Sequence, residues 1–187
     1  MAEAAALLNR SRKTVALTGA GISVGSGIPD FRSPGGLWTV YAPDKFATLE
    51  VFQRDPEKAW ELYRALGNTL LGKCSNPAHQ VLAEFEKTGR LAGIVTQNVD
   101  NLHQQAGNST VLEIHGDHQH LQCLQCGHLE EVVEHHYEML DIPCCPACSA
   151  PLKPNVVLFG EPVRKLDEIE LLTEDCENLL VIGTSAQ

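Results

Sequence analysis

The sequence contains no apolar run that approaches the length of a bilayer span, and so no transmembrane helix is expected. Its first residues, Met1-Ala2-Glu3-Ala4-Ala5-Ala6-Leu7-Leu8, lack both the cationic segment and the long apolar core of a secretory leader. Positive charge is in short supply. Fourteen Lys and Arg against 24 Asp and Glu leave a formal net charge of −10, which argues against non-specific nucleic-acid binding. The same acidity would suit lysine-rich partners, but solubility explains it equally well. No internal repeat or low-complexity tract is present. A disulfide framework is also disfavoured, because seven cysteines, an odd number with two CxxC pairs among them, fit metal ligation in a reducing compartment. A cytoplasmic location is expected. At 187 residues the chain can bury a good core, as one domain with a small satellite.

What is present begins with Thr14-Val15-Ala16-Leu17, a short β-branched and apolar run that reads as a buried first strand. Behind it lies Gly19-Ala20-Gly21, where the backbone can turn sharply and approach a ligand closely. Backbone N–H groups there suit a phosphate or pyrophosphate. A dehydrogenase fingerprint would place its third glycine at position 24, which is Val24, and a second strand with an acidic ribose ligand should follow. Instead, residues 28–43 carry three prolines and two glycines without alternation and read as a long binding loop.

Helices are expected over residues 2–10, over 47–54, from Asp55-Pro56 onward, from Asn76-Pro77 to Gly89, and over 165–175. Strands are expected at Leu91–Thr96, Val111–Ile114, the run Val156-Val157-Leu158-Phe159, and Leu179–Ile182. This alternation predicts an α/β fold, a Rossmann-like doubly wound parallel sheet, with a small zinc-ribbon insert. The boundaries expected are 1–117 with 152–187 for the nucleotide-binding domain and 118–151 for the zinc-binding module. Ligands of such sheets bind at the C-terminal ends of strands. The polar clusters Gly19–Ser23, Gln97–Asp100, His115-Gly116 and Gly183–Ser185 all follow strand-like runs, which points to one cleft.

Cys123-Leu124-Gln125-Cys126 and Cys145-Pro146-Ala147-Cys148 have the spacing of a four-cysteine zinc ribbon. Four thiolates complete a tetrahedron, so the one Zn2+ is structural. Cys144 could replace Cys145 only by lengthening the second turn, and Cys145 is preferred. Cys74 and Cys176 have no visible partner. His118, His120, His128, His135 and His136 read as a solvated, histidine-rich insert rather than a second metal site. Asp100, without context, is as good a helix cap as a ligand.

The run Gly19 to Arg32, GAGIS-x-x-SGIPDFR, resembles the first signature of the sirtuins, the NAD-dependent protein-lysine deacylases. Gln97-Asn98-x-Asp100 followed by N-L-H-x-x-A-G resembles the second, and Glu113-Ile114-His115-Gly116 the third. The resemblance implies transfer of ADP-ribose from NAD to the acyl oxygen of a modified lysine, with nicotinamide leaving first and an alkylamidate forming. His115 is then the general base, with Asn98 as a second catalytic residue, and the products are free lysine, nicotinamide and O-acyl-ADP-ribose. NAD is the cosubstrate. It would be lined by Gly19, Ala20, Gly21, Ile22, Ser23 and Arg32, with Ile28, Asp30, Phe31, Asn98, Asp100 and His115 around the nicotinamide. Gln97 would reach the adjacent ribose, and Gly183, Thr184 and Ser185 the phosphate and adenosine side.

The substrate peptide would pair as an added strand along Phe159-Gly160-Glu161, with Val157 and Tyr63 also at the substrate. Relatives that prefer acidic acyl groups resemble one another in a Tyr-x-x-Arg pair; here the positions are Tyr63 and Leu66, which favours acetyl and other uncharged groups. Acyl-lysine proteins are the expected partners, with no nucleic acid and no membrane. A sirtuin continues past Gly183-Thr184-Ser185, so the sequence is expected to be a fragment or a natural short form, with a sheet edge left exposed. The alternatives are protein ADP-ribosylation in the same cleft and a non-catalytic zinc-containing binding module.

Overall fold

A computed structural model describes residues 2–133, 135–138 and 141–185. The helices are α1 (Ala2–Arg10), α2 (Leu37–Val40), α3 (Pro43–Phe46), α4 (Leu49–Arg54), α5 (Pro56–Leu70), α6 (Pro77–Lys87), α7 (Leu102–Ala106), α8 (His135–Glu138) and α9 (Leu166–Thr173). The strands are β1 (Thr14–Thr18), β2 (Gly93–Thr96), β3 (Val111–Glu113), β4 (Gly116–Cys123), β5 (Leu129–Glu131), β6 (Leu152–Val156) and β7 (Asn178–Ile182). The capping residues act as their types dictate. Asp55 accepts from the Lys58 amide with Pro56 at the first helical position, and Asn76 with His79 forms a capping box on α6. None of the described helices is long and apolar enough to cross a membrane.

The main sheet is parallel in the order β3-β2-β1-β7. From β1 the chain builds outward through β2 to β3, then returns to add β7 on the other side of β1. The loops leaving β1 and β7 therefore flank a topological switch point, where open α/β sheets hold their ligands. Leu82 and Phe85 of α6 pack with Ala16, Ile94, Leu180 and Ile182 on one face of this sheet. Leu179 and Val181 of β7 point the other way and stay about half exposed.

A second, antiparallel sheet has the order β5-β4-β6 and covers residues 116–156. The largest core lies between this sheet and α5, where Trp60, Tyr63, Leu121, Cys123, Cys145 and Leu152 meet. The Trp60 indole also donates to the Leu152 carbonyl at 2.8 Å. Here the sequence expectation of a strand over Val156–Phe159 is corrected: the strand is Leu152–Val156, and the chain leaves the sheet after it. Lys153 and Pro154 disguise it. Among the described residues β6 pairs with β4 alone, as an edge strand that can hold a proline, and Lys153 is fully buried through charge pairing.

Candidate active site and metal module

The loop after β1 winds into a 3-10 helix, Ala20–Ser26, rather than an α-helix. Its glycines serve first to let two backbones meet. Gly21 N donates to Gly183 O at 2.9 Å, and Gly19 N to Ile182 O at 3.1 Å. A Cβ on Gly21 would lie 2.7 Å from the Gly183 Cα, and one on Gly183, at φ +67°, only 2.3 Å from the Ile22 amide. Side-chain bonds extend this contact: Asn98 Nδ2 donates to Gly19 O and to Ser23 Oγ, Ser23 Oγ donates to Asp100 Oδ2 at 2.6 Å, and Thr184 Oγ1 donates to Gln97 Oε1. Asp100 Oδ1 also accepts from the Leu102 amide at the start of α7, whose N-cap position is Asn101, while Oδ2 meets Ser23.

His115, half-buried at the end of β3, has Nδ1 2.9 Å from the Gln97 carbonyl. A carbonyl can only accept, so Nδ1 carries the proton and Nε2 keeps its lone pair. The four strand-end clusters are thus brought together by bonds between them. Gly116 follows at φ +76°, where a Cβ would strike the Asn155 carbonyl at 1.9 Å, so the turn after His115 admits only glycine.

The loop residues are less uniform. Ile28 packs with Leu70 and Leu102, joined by Leu66 and Val99. Asp30 turns its carboxylate into its own loop, on the Ser33 hydroxyl and the amides of Arg32 and Ser33, and the Ser33 hydroxyl bond chiefly holds its pKa below the usual carboxylate range. Phe31 stacks on Trp38 at 5.0 Å, and Arg32 is exposed. Val157 N donates to the His115 carbonyl. Phe159 is exposed, but its amide and carbonyl are taken by Ala47 O and Leu49 N. Tyr63 is 1% exposed, its hydroxyl has no partner among the described residues, and burial pushes its pKa up, with Glu161 adding to the effect.

Beneath the cleft lies a polar network that reading the sequence missed. His103 Nε2 is 2.9 Å from Thr18 Oγ1, which donates to Thr96 Oγ1, which in turn accepts from the Asn98 amide. The His79 ring packs edge-on against His103 at 4.8 Å, and both are buried. Only the N-L-H run and the Asn76 cap hinted at these two histidines. Burial, aided by His79 and opposed by Asp100, lowers the His103 pKa to about 4. The unfolded chain, with a histidine near 6.5, binds the proton more readily. Stability is therefore expected to fall as pH drops from about 6.5 to about 4, by about 3 kcal/mol from His103. Urea melts across this range check it; His103→Gln should show a flatter profile, and an unchanged slope would contradict the assignment.

In the antiparallel module the sulfurs of Cys123, Cys126, Cys145 and Cys148 all lie within 4.8 Å of one another, with two pairs at 3.5 Å. Tetrahedral zinc with bonds of about 2.3 Å needs sulfur separations of about 3.8 Å, so the four fit the ion. The Cys126 and Gln125 amides hold the Cys123 thiol well below its usual range, while burial and the neighbouring sulfurs push Cys126 and Cys148 up, because crowded thiols need a shared cation to ionise together. Cys144 stands outside this group, exposed, with its sulfur on the Ile142 carbonyl. Among the described residues no other group could hold a metal. His118, His120, His128 and His136 each bond locally, to Val99 O, Asp117, Glu130 and the Val133 amide. The side chain of His135 lies outside the described residues.

A parallel sheet with its loops gathered at the switch point, and a four-cysteine module inserted beside it, defines a Rossmann-like α/β protein with a zinc-competent insert. The family model described as "Sir2 family" matches residues 19–187. The chain belongs to this family, the sirtuins. It is 43% identical to an NAD-dependent protein deacylase of Thermococcus kodakarensis, over 99% of this chain and 75% of that protein. A Sir2 homologue in complex with ADP-ribose superposes with a TM-score of 0.92 at 37% identity, covering 99% of this chain and 75% of that one. A Sir2 protein solved with a deacetylated p53 peptide and 3'-O-acetyl ADP ribose superposes at 0.90 and 36% identity, over 99% and 76%.

Proposed function

We propose that this chain is an NAD-dependent protein-lysine deacylase that moves the acyl group to ADP-ribose and releases nicotinamide. The observation that carries the reading is His115, held by the Gln97 carbonyl in the tautomer that leaves Nε2 basic, at the meeting point of the strand-end loops. NAD would supply an ADP-ribosyl group with nicotinamide as the leaving group. The donor set suits it: amides of Gln97 and Asn98, hydroxyls of Ser23, Thr184 and Ser185, the Asp100 carboxylate and the Arg32 guanidinium match a carboxamide, ribose hydroxyls and phosphates. Asn98 is oriented by Gly19 and Ser23, and Gln97 by Thr184, so both amides are set before any ligand arrives. His115 Nε2 would take a proton from a ribose hydroxyl as that oxygen attacks. The four cysteines would hold Zn2+ as a staple, with no position open for chemistry.

The partner is an acyl-lysine segment of a protein, received along the backbone at Gly160 and the Glu161 carbonyl, since the Phe159 backbone and the Glu161 amide are already paired. Leu66, apolar and packed near Ile28, supports uncharged acyl groups. The negative net charge supports a protein rather than a nucleic-acid partner, without membrane attachment, and the free thiols support a reducing, cytoplasmic setting. The test is nicotinamide release from NAD with and without an acetyl-lysine peptide. Peptide-dependent release is expected. Labelling of protein by ADP-ribose without deacylation would shift the reading to an ADP-ribosyltransferase, and no release by folded, zinc-loaded protein would shift it to a binding module.

A further inference from the structure

Lys153 is 0% exposed, in the middle of β6, and the chemistry described so far makes no use of it. A lysine is almost never so deeply buried without partners. Its Nζ donates to the carbonyls of Val156 and Pro154 and forms an ion pair with Glu161 Oε2 at 3.2 Å. With the Gln122 amide turned so that its nitrogen donates to Asn155 Oδ1, the Gln122 oxygen accepts from Lys153 at 2.7 Å. The ammonium thus has a full set of acceptors.

The carboxylate oxygen that meets Lys153 also accepts from the Leu158 amide at 2.8 Å, while Glu161 N donates to Leu158 O at 2.9 Å. The turn Leu158–Glu161 is therefore closed twice, once by backbone and once by the Glu161 side chain. From the other side, Phe159 is pinned by Ala47 and Leu49. What these anchors leave outside is Gly160, exposed at φ +96°, bordering an open groove of about 420 Å³ lined by Thr48, Leu49 and Phe159 among others.

We propose that Lys153 is a positioning residue that, through Glu161, fixes the Leu158–Glu161 turn in the shape that receives the substrate backbone. The inference rests on the deacylase reading for the identity of that substrate, but the latch itself does not. Stability is a poor explanation for the pair. Burial lowers the Lys153 pKa to about 8 in spite of Glu161, with Arg164 adding to the effect, whereas the unfolded chain keeps its lysine near 10.5. The folded protein thus binds this proton more weakly, and burying the ammonium costs stability near neutral pH. A buried pair of this kind is better placed to specify geometry than to add stability.

The test compares wild type, Lys153→Met and Lys153→Met/Glu161→Gln, all zinc-loaded, with an acetyl-lysine peptide and NAD. Lys153→Met strands the Glu161 carboxylate, so the turn should open. Peptide KM is expected to rise about tenfold, the loss of a charge-assisted bond, with NAD KM within about twofold. In the double variant a neutral amide still accepts from Leu158 with no stranded charge, and peptide KM should return to within about threefold of wild type. Peptide and NAD constants that shift together, or a double variant no better than the single, would overturn the latch. Amide exchange gives a readout independent of catalysis. Leu158 and Glu161, whose amides the turn protects, should exchange about tenfold faster in Lys153→Met, with β1 and β7 unchanged. Equal protection would overturn the proposal. If wild type shows no peptide-dependent release, the deacylase reading fails while the exchange result still decides the latch. Should Lys153→Met not fold, Glu161→Ala, in which Lys153 can shed its proton, should show the same local exchange; if it does not, the latch is excluded.

Discussion

His115→Ala is expected to lower peptide-dependent acyl transfer by roughly 10²- to 10⁴-fold, the usual worth of a positioned general base. The ring is held through Nδ1 by the Gln97 carbonyl, so its basic nitrogen cannot alternate with the other tautomer without losing that bond. Alanine removes both the base and the donor to Gln97, but neither is part of a hydrophobic core. Zinc content and thermal midpoint should stay within error of wild type. The measurement is single-turnover deacylation, with melting and metal analysis alongside. Turnover above about a tenth of wild type would take His115 out of the proton transfer. Retained nicotinamide release with lost acyl transfer would place its action after the first bond breaks.

Cys145→Ser should release the zinc and cost on the order of 5 kcal/mol, a large part of the stability of a domain this size. The effect should spread, because Cys123 and Cys145 belong to the same core as Trp60, Tyr63 and Leu152. Losing the ion would loosen β6 and the base of α5 together. Cys144→Ser, by contrast, alters an exposed thiol outside the sulfur cluster and should keep one zinc per chain with an unchanged melt. Metal analysis and thermal unfolding of the two variants separate them. A Cys144 variant that loses zinc while the Cys145 variant keeps it would reassign the fourth ligand.

The fold was legible where one residue type has one local use. Asp55-Pro56 and Asn76-Pro77 start α5 and α6 because each pairs a side-chain acceptor with a ring that needs no amide partner. The apolar runs before Gly19, Gln97, His115 and Gly183 became β1, β2, β3 and β7. The reading failed at β6, since a lysine and a proline in five residues outweigh apolar neighbours in any periodicity. The acceptors around Lys153 Nζ, two carbonyls of β6 itself with Glu161 and Gln122 from outside it, make that strand possible. The cleft was legible as a list of clusters, but not as a network. Thr18 and Thr96 look like ordinary strand residues, and nothing local shows that His79 and His103, 24 positions apart, share one buried space. Nor does spacing reveal that Asp30 serves its own loop or that the Phe159 backbone is already engaged.

The contact of Gly21 with Gly183 has an evolutionary corollary. The two positions are 162 apart in the chain, yet each occupies the volume a methyl group on the other would need. No side chain at one can be accommodated by shrinking the other, because both are already minimal. The pair therefore forms a dead end in mutational space, with no compensating partner for a lineage to find. Drift in this protein would have to pass around those loops, through residues such as Val24 that face solvent, and leave the junction of β1 and β7 as it is.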